Sequence, residues 1–154
     1  MTNLCFDVIK KLGKRTIATA ESCTGGGIGA ALTAVPGSSA VFKGGIISYT
    51  NWVKENLLFV NSGLITEKGA VSAEVAEAMA VGAKRSLESD IAVSVTGLAG
   101  PGGDEFGNPV GTVYIGYADG NCVISRKFLF SGNREEIRNC AVAAALQLVL
   151  EQIQ

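Results

Sequence analysis

Short apolar runs of strand character alternate with amphipathic helical stretches along the whole 154-residue chain. Apolar residues at helical spacing predict a helix over residues 4–12, and the nearly continuous apolar run over residues 91–95 is typical of a strand buried on both faces. Such alternation predicts an α/β fold, a three-layer α/β/α sandwich around a mixed, mostly parallel sheet. The Asp119-Gly120 pair between the last two predicted strands indicates a hairpin, which is why we expect the sheet to be mixed.

Capping and turn residues set the bounds of the other elements. Asn51, Ser72 and Asn133 are predicted N-caps, and Asn133 with Glu136 matches a capping box. No linker or repeat divides the sequence, so we expect one domain over residues 1–154. The other predicted strands cover residues 17–20, 42–49, 112–117 and 122–130. Two of the other predicted helices cover residues 26–34 and 51–58. A third runs from the Ser72 cap to about residue 87, and the last one follows Asn133.

Composition and charge exclude several classes of protein. Hydrophobic residues make up 47% of the chain and charged residues 18%, which is typical of a compact domain and not of a disordered one. The formal net charge of -1, without a block of Lys and Arg, gives no electrostatic footprint for nucleic acid. No apolar run approaches the roughly 18 residues of a membrane span, and the N-terminus lacks the pattern of a signal peptide. We therefore expect a cytoplasmic protein that acts on a small molecule.

The residue types available for catalysis and metal binding are restricted. The chain has no histidine, and its four cysteines are spaced too widely for a zinc pattern. They are Cys5, Cys23, Cys122 and Cys140. We therefore expect reduced thiols, no metal and no cofactor. A small, apolar-rich chain with few charges is also expected to form a homo-oligomer, either a dimer or a trimer.

Residues 20–27, Ala-Glu-Ser-Cys-Thr-Gly-Gly-Gly, link a predicted strand to a predicted helix. A serine at such a turn can act as a nucleophile, and the backbone N–H groups that follow Ser22 are suited to an oxyanion or a phosphate oxygen. These N–H groups belong to Cys23, Thr24, Gly25 and Gly26. The alternative is an N-capping serine with glycines for tight packing. Without histidine a Ser-His-Asp triad is impossible, so the base for Ser22 is expected to be a lysine.

Lys54 is the candidate base, in the first turn of the helix that begins at Asn51. The positive end of the helix disfavours an ammonium there, and Trp52, Val53 and Leu57 are available to exclude water. Lowering a lysine pKa from ~10.4 to ~7–8 requires burial, because surface placement does not supply the roughly 4 kcal/mol involved. The alternative is an ordinary solvated helix lysine.

Polar segments follow three of the predicted strands. Ser22 follows the first, residues 49–51 end the second, and residues 96–97 follow the third. Because ligands gather beyond the carboxyl ends of parallel strands, we expect these segments to converge on one site. Tyr49 is expected either to relay a proton or orient Lys54, or to pack as a half-buried strand residue.

A glycine-rich loop over residues 96–104 follows the buried strand. Glycine lets backbone approach a ligand closely, and Pro101 and Pro109 favour a shaped loop over a floppy connector. The candidate substrate contacts in this loop are Thr96, Gly97, Gly100 and Gly102.

Two arginines, Arg134 and Arg138, lie one turn apart near the start of the last predicted helix. Together they are able to bind a phosphate bidentately. The alternative is pairing with Glu135, Glu136 or another surface acid, which is the commoner arrangement of such arginines.

Several ordered motifs carry a resemblance that covers nearly the whole chain. They are A-E-S-C-T-G-G at 20–26, P-G-S-S at 36–39, Y-T-N-x-x-K at 49–54, G-A-V-S at 69–72, T-G-L-A-G-P-G-G at 96–103, P-V-G-T-V-Y at 109–114, and the Arg134 and Arg138 helix start. On these motifs the chain resembles the C-terminal domain of the competence/damage-inducible protein CinA. Stand-alone members of that family are nicotinamide mononucleotide deamidases, also called PncC.

The resemblance implies hydrolysis of the carboxamide of nicotinamide mononucleotide to nicotinate mononucleotide and ammonia. It implies Ser22 as nucleophile and Lys54 as base, with Tyr49 and Thr96 in supporting roles, and a pyridine mononucleotide as the small-molecule partner. Two alternatives remain open. One is a catalytically silent nucleotide-binding or interaction module of the same family. The other is a thiol nucleophile or redox sensor at Cys23, which has no histidine partner.

The chain departs from the family pattern near the binding loop. Asn108 stands where relatives usually have lysine, and Asp104 and Glu105 make the adjoining segment acidic. Trp52-Val53 replaces the more polar residues that usually lie between the Asn and the Lys of the Y-T-N-x-x-K motif. These departures bear on phosphate recognition and substrate preference.

Overall fold

The structure is a computed structural model that describes residues 1–153. The strands in this range are β1 (Ile17–Glu21), β2 (Phe42–Ile47), β3 (Ile91–Gly97), β4 (Thr112–Ala118) and β5 (Val123–Leu129). The helices in the same range are α1 (Thr2–Leu12), α2 (Gly27–Thr33), α3 (Asn51–Leu57), α4 (Ser62–Lys68), α5 (Ala73–Ser86) and α6 (Arg134–Gln152), with a short 3-10 helix at Ser38–Ala40. None of the helices within residues 1–153 is long and apolar enough to span a membrane.

The strands of residues 1–153 form one sheet in the order β2-β1-β3-β4-β5. β1 is parallel to both β2 and β3, whereas β4 is antiparallel to both β3 and β5. Among the described strands, β4 therefore opposes the direction of the other four. The predicted α/β sandwich around a mixed, mostly parallel sheet is confirmed.

Helices cover both faces of this sheet. α1, α2 and α6 pack on one face, and α5 packs on the other with α3 and α4 beside it. Along β3, Val93 and Val95 belong to the core under α1, α2 and α6, whereas Ala92 belongs to the core under α5. Because successive side chains of a strand point to opposite faces, this apolar run fills both cores.

The helix caps follow the predicted pattern with one exception. Ser72 and Asn133 are N-caps as predicted, and the capping box of Asn133 and Glu136 forms. The cap of α3, however, is Thr50 and not Asn51. Thr50 has extended backbone (φ −106°, ψ 161°), and its hydroxyl accepts a hydrogen bond from a backbone N–H three residues later, so Asn51 is the first helical residue.

Two strands end two residues away from their predicted ends, and one α-helix was not predicted. β2 ends at Ile47, so Tyr49 belongs to the connection that leads into α3. β3 continues to Gly97, which makes Thr96 part of the strand. The unpredicted helix is α4, whose first turn is capped by the Asn61 side chain. Tyr49 and Thr96 both lie at the edge of the sheet where the parallel strands end.

α3 and α5 approach each other closely at Gly82. A Cβ at this position would overlap the carbonyl oxygen of Leu58 at the end of α3, so a substitution of Gly82 tests this approach. Alanine favours a helix over glycine by about 1 kcal/mol, but overpacking in a core costs about 1–3 kcal/mol. Since a backbone oxygen has little freedom to move, we expect Gly82→Ala to lower the free energy of unfolding measured by urea denaturation.

The matched control is Val81→Ala in the same helix, because Val81 is exposed. This control is expected to change the free energy of unfolding by less than about 0.5 kcal/mol. A Gly82→Ala variant as stable as the unmodified protein would contradict the close approach of α3 and α5.

Candidate active site

One cavity lies where β1, β2 and β3 end, because these strands are parallel neighbours in the sheet. Its volume is about 290 Å³. The predicted site residues that line it are Ser22, Cys23, Tyr49, Lys54, Thr96, Gly97, Gly100, Gly102 and Arg134. It is also lined by Asn51, Leu98 and Ala99, which lie in predicted site segments but had no individual role, and by Ala70 and Val71, which sequence reasoning did not assign to the site. The structure therefore brings together residues from segments that are far apart in the chain.

The side chain of Lys54 lies beside that of Ser22. Lys54 Nζ donates one hydrogen bond to Ser22 Oγ at 3.1 Å and another to the carbonyl oxygen of Ser48 at 2.7 Å. Lys54 is only 2% exposed, and Ser22 is 8% exposed. The alternative of a solvated helix lysine is therefore wrong, because the amine is enclosed between the ends of β1 and β2.

Burial lowers the pKa of Lys54 to about 8 from an ordinary value of 10.5. The physical cause is the lost hydration of the ammonium, which its two oxygen acceptors replace only in part. The thiol group of Cys23 acts in the opposite direction and raises the pKa of Lys54. At pH 7 about a tenth of the amine is thus uncharged, and the uncharged amine is the form that accepts a proton from a hydroxyl.

The three neighbours that were expected to shield Lys54 from water do not enclose it. Trp52 is 64% exposed, Leu57 is 47% exposed and Val53 is only half-buried. Lys54 instead shares the inner face of α3 with Leu58, which is buried one turn later. The expectation that Trp52, Val53 and Leu57 enclose the amine is wrong, because the outer side of α3 faces solvent.

Glu21 anchors the turn that follows β1, although sequence reasoning did not assign it a role. Its buried carboxylate accepts hydrogen bonds from Thr24 Oγ1 at 2.7 Å and from the N–H groups of Ile28 and Gly29 at 2.7 and 3.0 Å. A carboxylate is favoured at the start of a helix by the free N–H groups and by the helix dipole. The sequence signal that could have indicated this role is an acidic residue directly before Ser22 at a strand-to-helix turn.

Some of the backbone N–H groups around this turn are used within the protein. Glu21 takes those of Ile28 and Gly29, and the Gly25 N–H donates to the Ser22 carbonyl oxygen at 3.1 Å. Of the four N–H groups predicted to bind an anion, that of Gly25 is therefore used within the turn itself.

The shape of the turn places three of the predicted contacts away from the cavity. Gly25 and Gly26 have positive φ angles of 59° and 101°, a conformation that glycine adopts without strain. Thr24, Gly25 and Gly26 do not line the cavity, whereas Cys23 does. Within residues 1–153 the Cys23 N–H donates to no backbone carbonyl, and Cys23 lines the cavity, so this N–H is the candidate donor of the turn for a ligand.

Tyr49 and Arg134 lie together at the solvent side of the cavity. Arg134 Nη2 donates a hydrogen bond to the Tyr49 hydroxyl at 3.2 Å, and Arg134 Nη1 donates to the Gly100 carbonyl oxygen. Tyr49 is 58% exposed, so the alternative of a half-buried strand tyrosine is wrong. Its hydroxyl has Arg134 and not Lys54 as hydrogen-bond partner, which places Tyr49 at the entrance and not beside the amine.

Arg138 has different partners from Arg134. Its Nε donates to the Cys23 carbonyl oxygen at 3.0 Å and its Nη2 to the Thr24 carbonyl oxygen at 3.2 Å. It does not line the cavity. A joint phosphate site of both arginines is therefore not formed, because the two guanidinium groups point at different segments. Pairing with the neighbouring acids is not found either, since neither arginine forms an ion pair within residues 1–153.

Hydrogen bonds hold the end of β3 and the loop that follows it. The hydroxyl of Thr96, which is buried, donates to the Ala70 carbonyl oxygen at 2.8 Å. The Asp104 carboxylate accepts hydrogen bonds from the Asn108 N–H at 2.9 Å and from Asn108 Nδ2 at 2.8 Å. Asp104 and Glu105 line an adjoining cavity and not the one around Ser22. The acidic segment therefore shapes this loop and lies beside the Ser22 cavity.

Cysteine chemistry is not favoured at this site. Burial raises the pKa of Cys23 to about 11, although its own backbone N–H and the nearby Arg138 lower it in part. Only about one thiol in 10⁴ is therefore a thiolate at pH 7. Within residues 1–153 all four cysteines are free, and no group of three or more His, Cys, Asp and Glu side chains is arranged to hold a metal ion.

The lowered pKa of Lys54 has a consequence for stability. Between pH 8 and 10.5 the unfolded chain binds more protons at residue 54 than the folded chain does. Stability therefore rises with pH across this window, by up to about 3 kcal/mol for this one group. We expect the free energy of unfolding, measured in urea, to increase less over this window in Lys54→Met than in the unmodified protein. Thiols and tyrosines titrate in both proteins, so the difference between the two slopes isolates residue 54. Parallel slopes would contradict a buried amine.

Comparisons with known proteins place the chain in a family. The sequence model described as the CinA C-terminal domain matches residues 2–153. A CinA-like protein from Thermosynechococcus vestitus is 52% identical over 143 residues, which cover 91% of this chain and 34% of that protein. A CinA-like protein from a Synechococcus species is 50% identical over 155 residues, which cover 98% of this chain and 37% of that protein. The chain thus spans about a third of the length of these curated relatives.

Solved structures agree with this relationship. The competence damage-inducible protein A (ComA) from Klebsiella pneumoniae has a TM-score of 0.95 at 32% identity, with 98% of this chain and 95% of that chain covered. The competence/damage inducible protein CihA from Agrobacterium tumefaciens has a TM-score of 0.93 at 39% identity, with the same coverage. On the match over residues 2–153, the chain belongs to the CinA C-terminal domain family.

Proposed function

We propose that the chain is an amidohydrolase that converts nicotinamide mononucleotide to nicotinate mononucleotide and ammonia. The observation that carries the proposal is the hydrogen bond of 3.1 Å between Lys54 Nζ and Ser22 Oγ, made by a lysine that is 2% exposed. A hydroxyl is a weak nucleophile until a base removes its proton, and a buried lysine is the base that a chain without histidine offers.

In the first half of the reaction Ser22 Oγ attacks the amide carbon while Lys54 Nζ accepts the hydroxyl proton. The negative charge develops on the former amide oxygen, and the Cys23 N–H is the donor of the turn available to it. Collapse of the tetrahedral intermediate breaks the C–N bond. Lys54 returns its proton to the departing nitrogen, so ammonia leaves and an ester of Ser22 remains.

In the second half a water molecule replaces ammonia at the same position. Lys54 takes a proton from this water as its oxygen attacks the ester carbon. The C–O bond to Ser22 then breaks, the proton passes to Ser22 Oγ, and the carboxylate product leaves. The second proton of the water is lost to solvent when the carboxylic acid ionises. One amide and one water thus yield one carboxylate, one ammonia and one proton, with both side chains restored.

The surroundings of the cavity fit a charged nucleotide. The pyridinium of the substrate is a positive charge that further disfavours an ammonium at Lys54. The exposed Arg134 at the entrance offers guanidinium hydrogen bonds to a phosphate. A volume of about 290 Å³ lies at the lower end of the range for small-molecule sites, which suits a mononucleotide better than a larger ligand.

The first test removes each reacting group in turn. We expect Ser22→Ala and Lys54→Ala to lower ammonia release from nicotinamide mononucleotide by about 10³-fold or more, because each loses a group that acts in the transition state. The matched controls are Ser39→Ala and Lys43→Ala, whose side chains are exposed and distant from the cavity lining. Circular dichroism of all four variants checks that they fold.

Two outcomes would contradict the proposal. Undiminished ammonia release in both folded variants would remove the Ser22 and Lys54 pair from the reaction. Thermal stabilisation of the unmodified protein by nicotinamide mononucleotide, without ammonia release, would instead support a silent nucleotide-binding module.

The second test uses pH. Lys54 acts as a base only when uncharged, and its pKa is lowered to about 8. We therefore expect kcat/KM to rise with pH through a midpoint near 8 and to fall tenfold per pH unit well below it. The control is Cys23→Ser, which should keep the rise with its midpoint unchanged or slightly lower, because the Cys23 side chain raises the pKa of Lys54. A profile that is flat from pH 6 to 9 would argue against lysine as the base, and loss of the rise in Cys23→Ser would assign it to the thiol.

A further inference from the structure

The two arginines of α6 divide their contacts between the entrance of the cavity and the back of the turn that carries Ser22. Arg134 reaches Tyr49 and Gly100, whereas Arg138 donates to the carbonyl oxygens of Cys23 and Thr24. We infer that Arg138 is a positioning residue that holds the backbone next to Ser22 in the geometry needed for attack. This inference rests on the proposed function for its kinetic consequence, and its structural part is tested independently below.

Planar peptide geometry explains why carbonyl contacts position an N–H. In a trans peptide the C=O and the following N–H point in opposite directions. The Ser22 carbonyl is bound by the Gly25 N–H at 3.1 Å, which turns the Cys23 N–H the other way. The Cys23 carbonyl is bound by Arg138 Nε at 3.0 Å. Both peptide planes that flank Cys23 are thus fixed, the first by the turn itself and the second by Arg138.

A second charged group holds the same turn on the side of α2. The buried carboxylate of Glu21 binds the Thr24 hydroxyl at 2.7 Å, while Arg138 binds the carbonyl of that residue at 3.2 Å. The two charges act on different atoms of the turn, one on donors and the other on acceptors. The segment from Ser22 to Thr24 is therefore restrained from two directions.

The packing of α6 leaves little space for the turn to shift. A Cβ at Gly25 would lie 3.5 Å from Arg138 Nη2, and a Cβ at Gly27 would lie 2.9 Å from Val142 Cγ2. Gly27 thus allows α6 to pack close to the turn, whereas the distance at Gly25 is an ordinary contact. Arginine suits this position because its rigid fork reaches two carbonyls at once, whereas an ammonium is a single point of charge.

The experiment compares Arg138→Lys and Arg138→Met with Arg134→Lys, using nicotinamide mononucleotide as the substrate. We expect Arg138→Lys to lower kcat by about 10²-fold with KM changed less than twofold, because misplacing reacting groups affects the transition state and not substrate binding. Arg134→Lys is expected to raise KM instead. Arg126→Lys, on β5 and away from the cavity, is the control that should leave both constants unchanged.

Amide hydrogen exchange of residues 22–27 supplies the readout that does not depend on activity. We expect exchange of these amides to accelerate in Arg138→Lys and more strongly in Arg138→Met, with no change in Arg126→Lys. If the unmodified protein releases no ammonia, the proposed function fails and the exchange result alone decides the positioning role.

The inference is overturned by any of three results. Unchanged exchange of residues 22–27 in Arg138→Met would show that the turn holds its shape without the guanidinium. A kcat within twofold of the unmodified enzyme in Arg138→Lys would show that the fork is not needed. A rise in KM equal to that of Arg134→Lys would make Arg138 a substrate ligand.

Discussion

The Lys54 amine is taken out of water at the point where β1 and β2 end, and the Ser22 hydroxyl and the Ser48 carbonyl replace part of its hydration. This burial explains the lowered pKa of Lys54, and it gives a helix lysine the character of a base. It also costs stability, because an ammonium is disfavoured in such surroundings. The enclosure is maintained by the rest of the fold, which packs α3 against α5 and closes the turn after β1 over the amine.

The sheet topology is what makes this enclosure possible. Parallel neighbours end at the same edge, so β1, β2 and β3 deliver the turn of Ser22, the connection with Tyr49 and the end of β3 with Thr96 to one place. β4, which is antiparallel to both of its neighbours, and β5 complete the sheet on the far side of β3. Two charged side chains then fix the turn itself: Glu21 satisfies N–H groups at the start of α2, and Arg138 satisfies carbonyl groups from α6. The turn that carries the Ser22 hydroxyl is thus held by groups from β1, α2 and α6.

Much of the fold could be predicted because its signals are local. The apolar run of β3, the Asp119-Gly120 hairpin and the Asn133 cap depend on a few neighbouring residues, and each formed close to its predicted position. Element ends were less accurate where two residues of similar chemistry compete, as with Thr50 and Asn51 at the start of α3. The helix α4 was missed because its sequence lacks a clear apolar period and depends on packing against α5.

The sequence alone determined the residue types of the site: a chain without histidine, a serine at a strand-to-helix turn, and a lysine after the next strand. Only the tertiary structure decided which of these groups meet. It buried Lys54, left Trp52 in solvent, and directed Arg138 to carbonyls 114 and 115 residues earlier in the chain. The physical reason is that desolvation and hydrogen bonding depend on distances between groups, and local sequence sets neither the surroundings of a helix face nor the partner that a long side chain reaches.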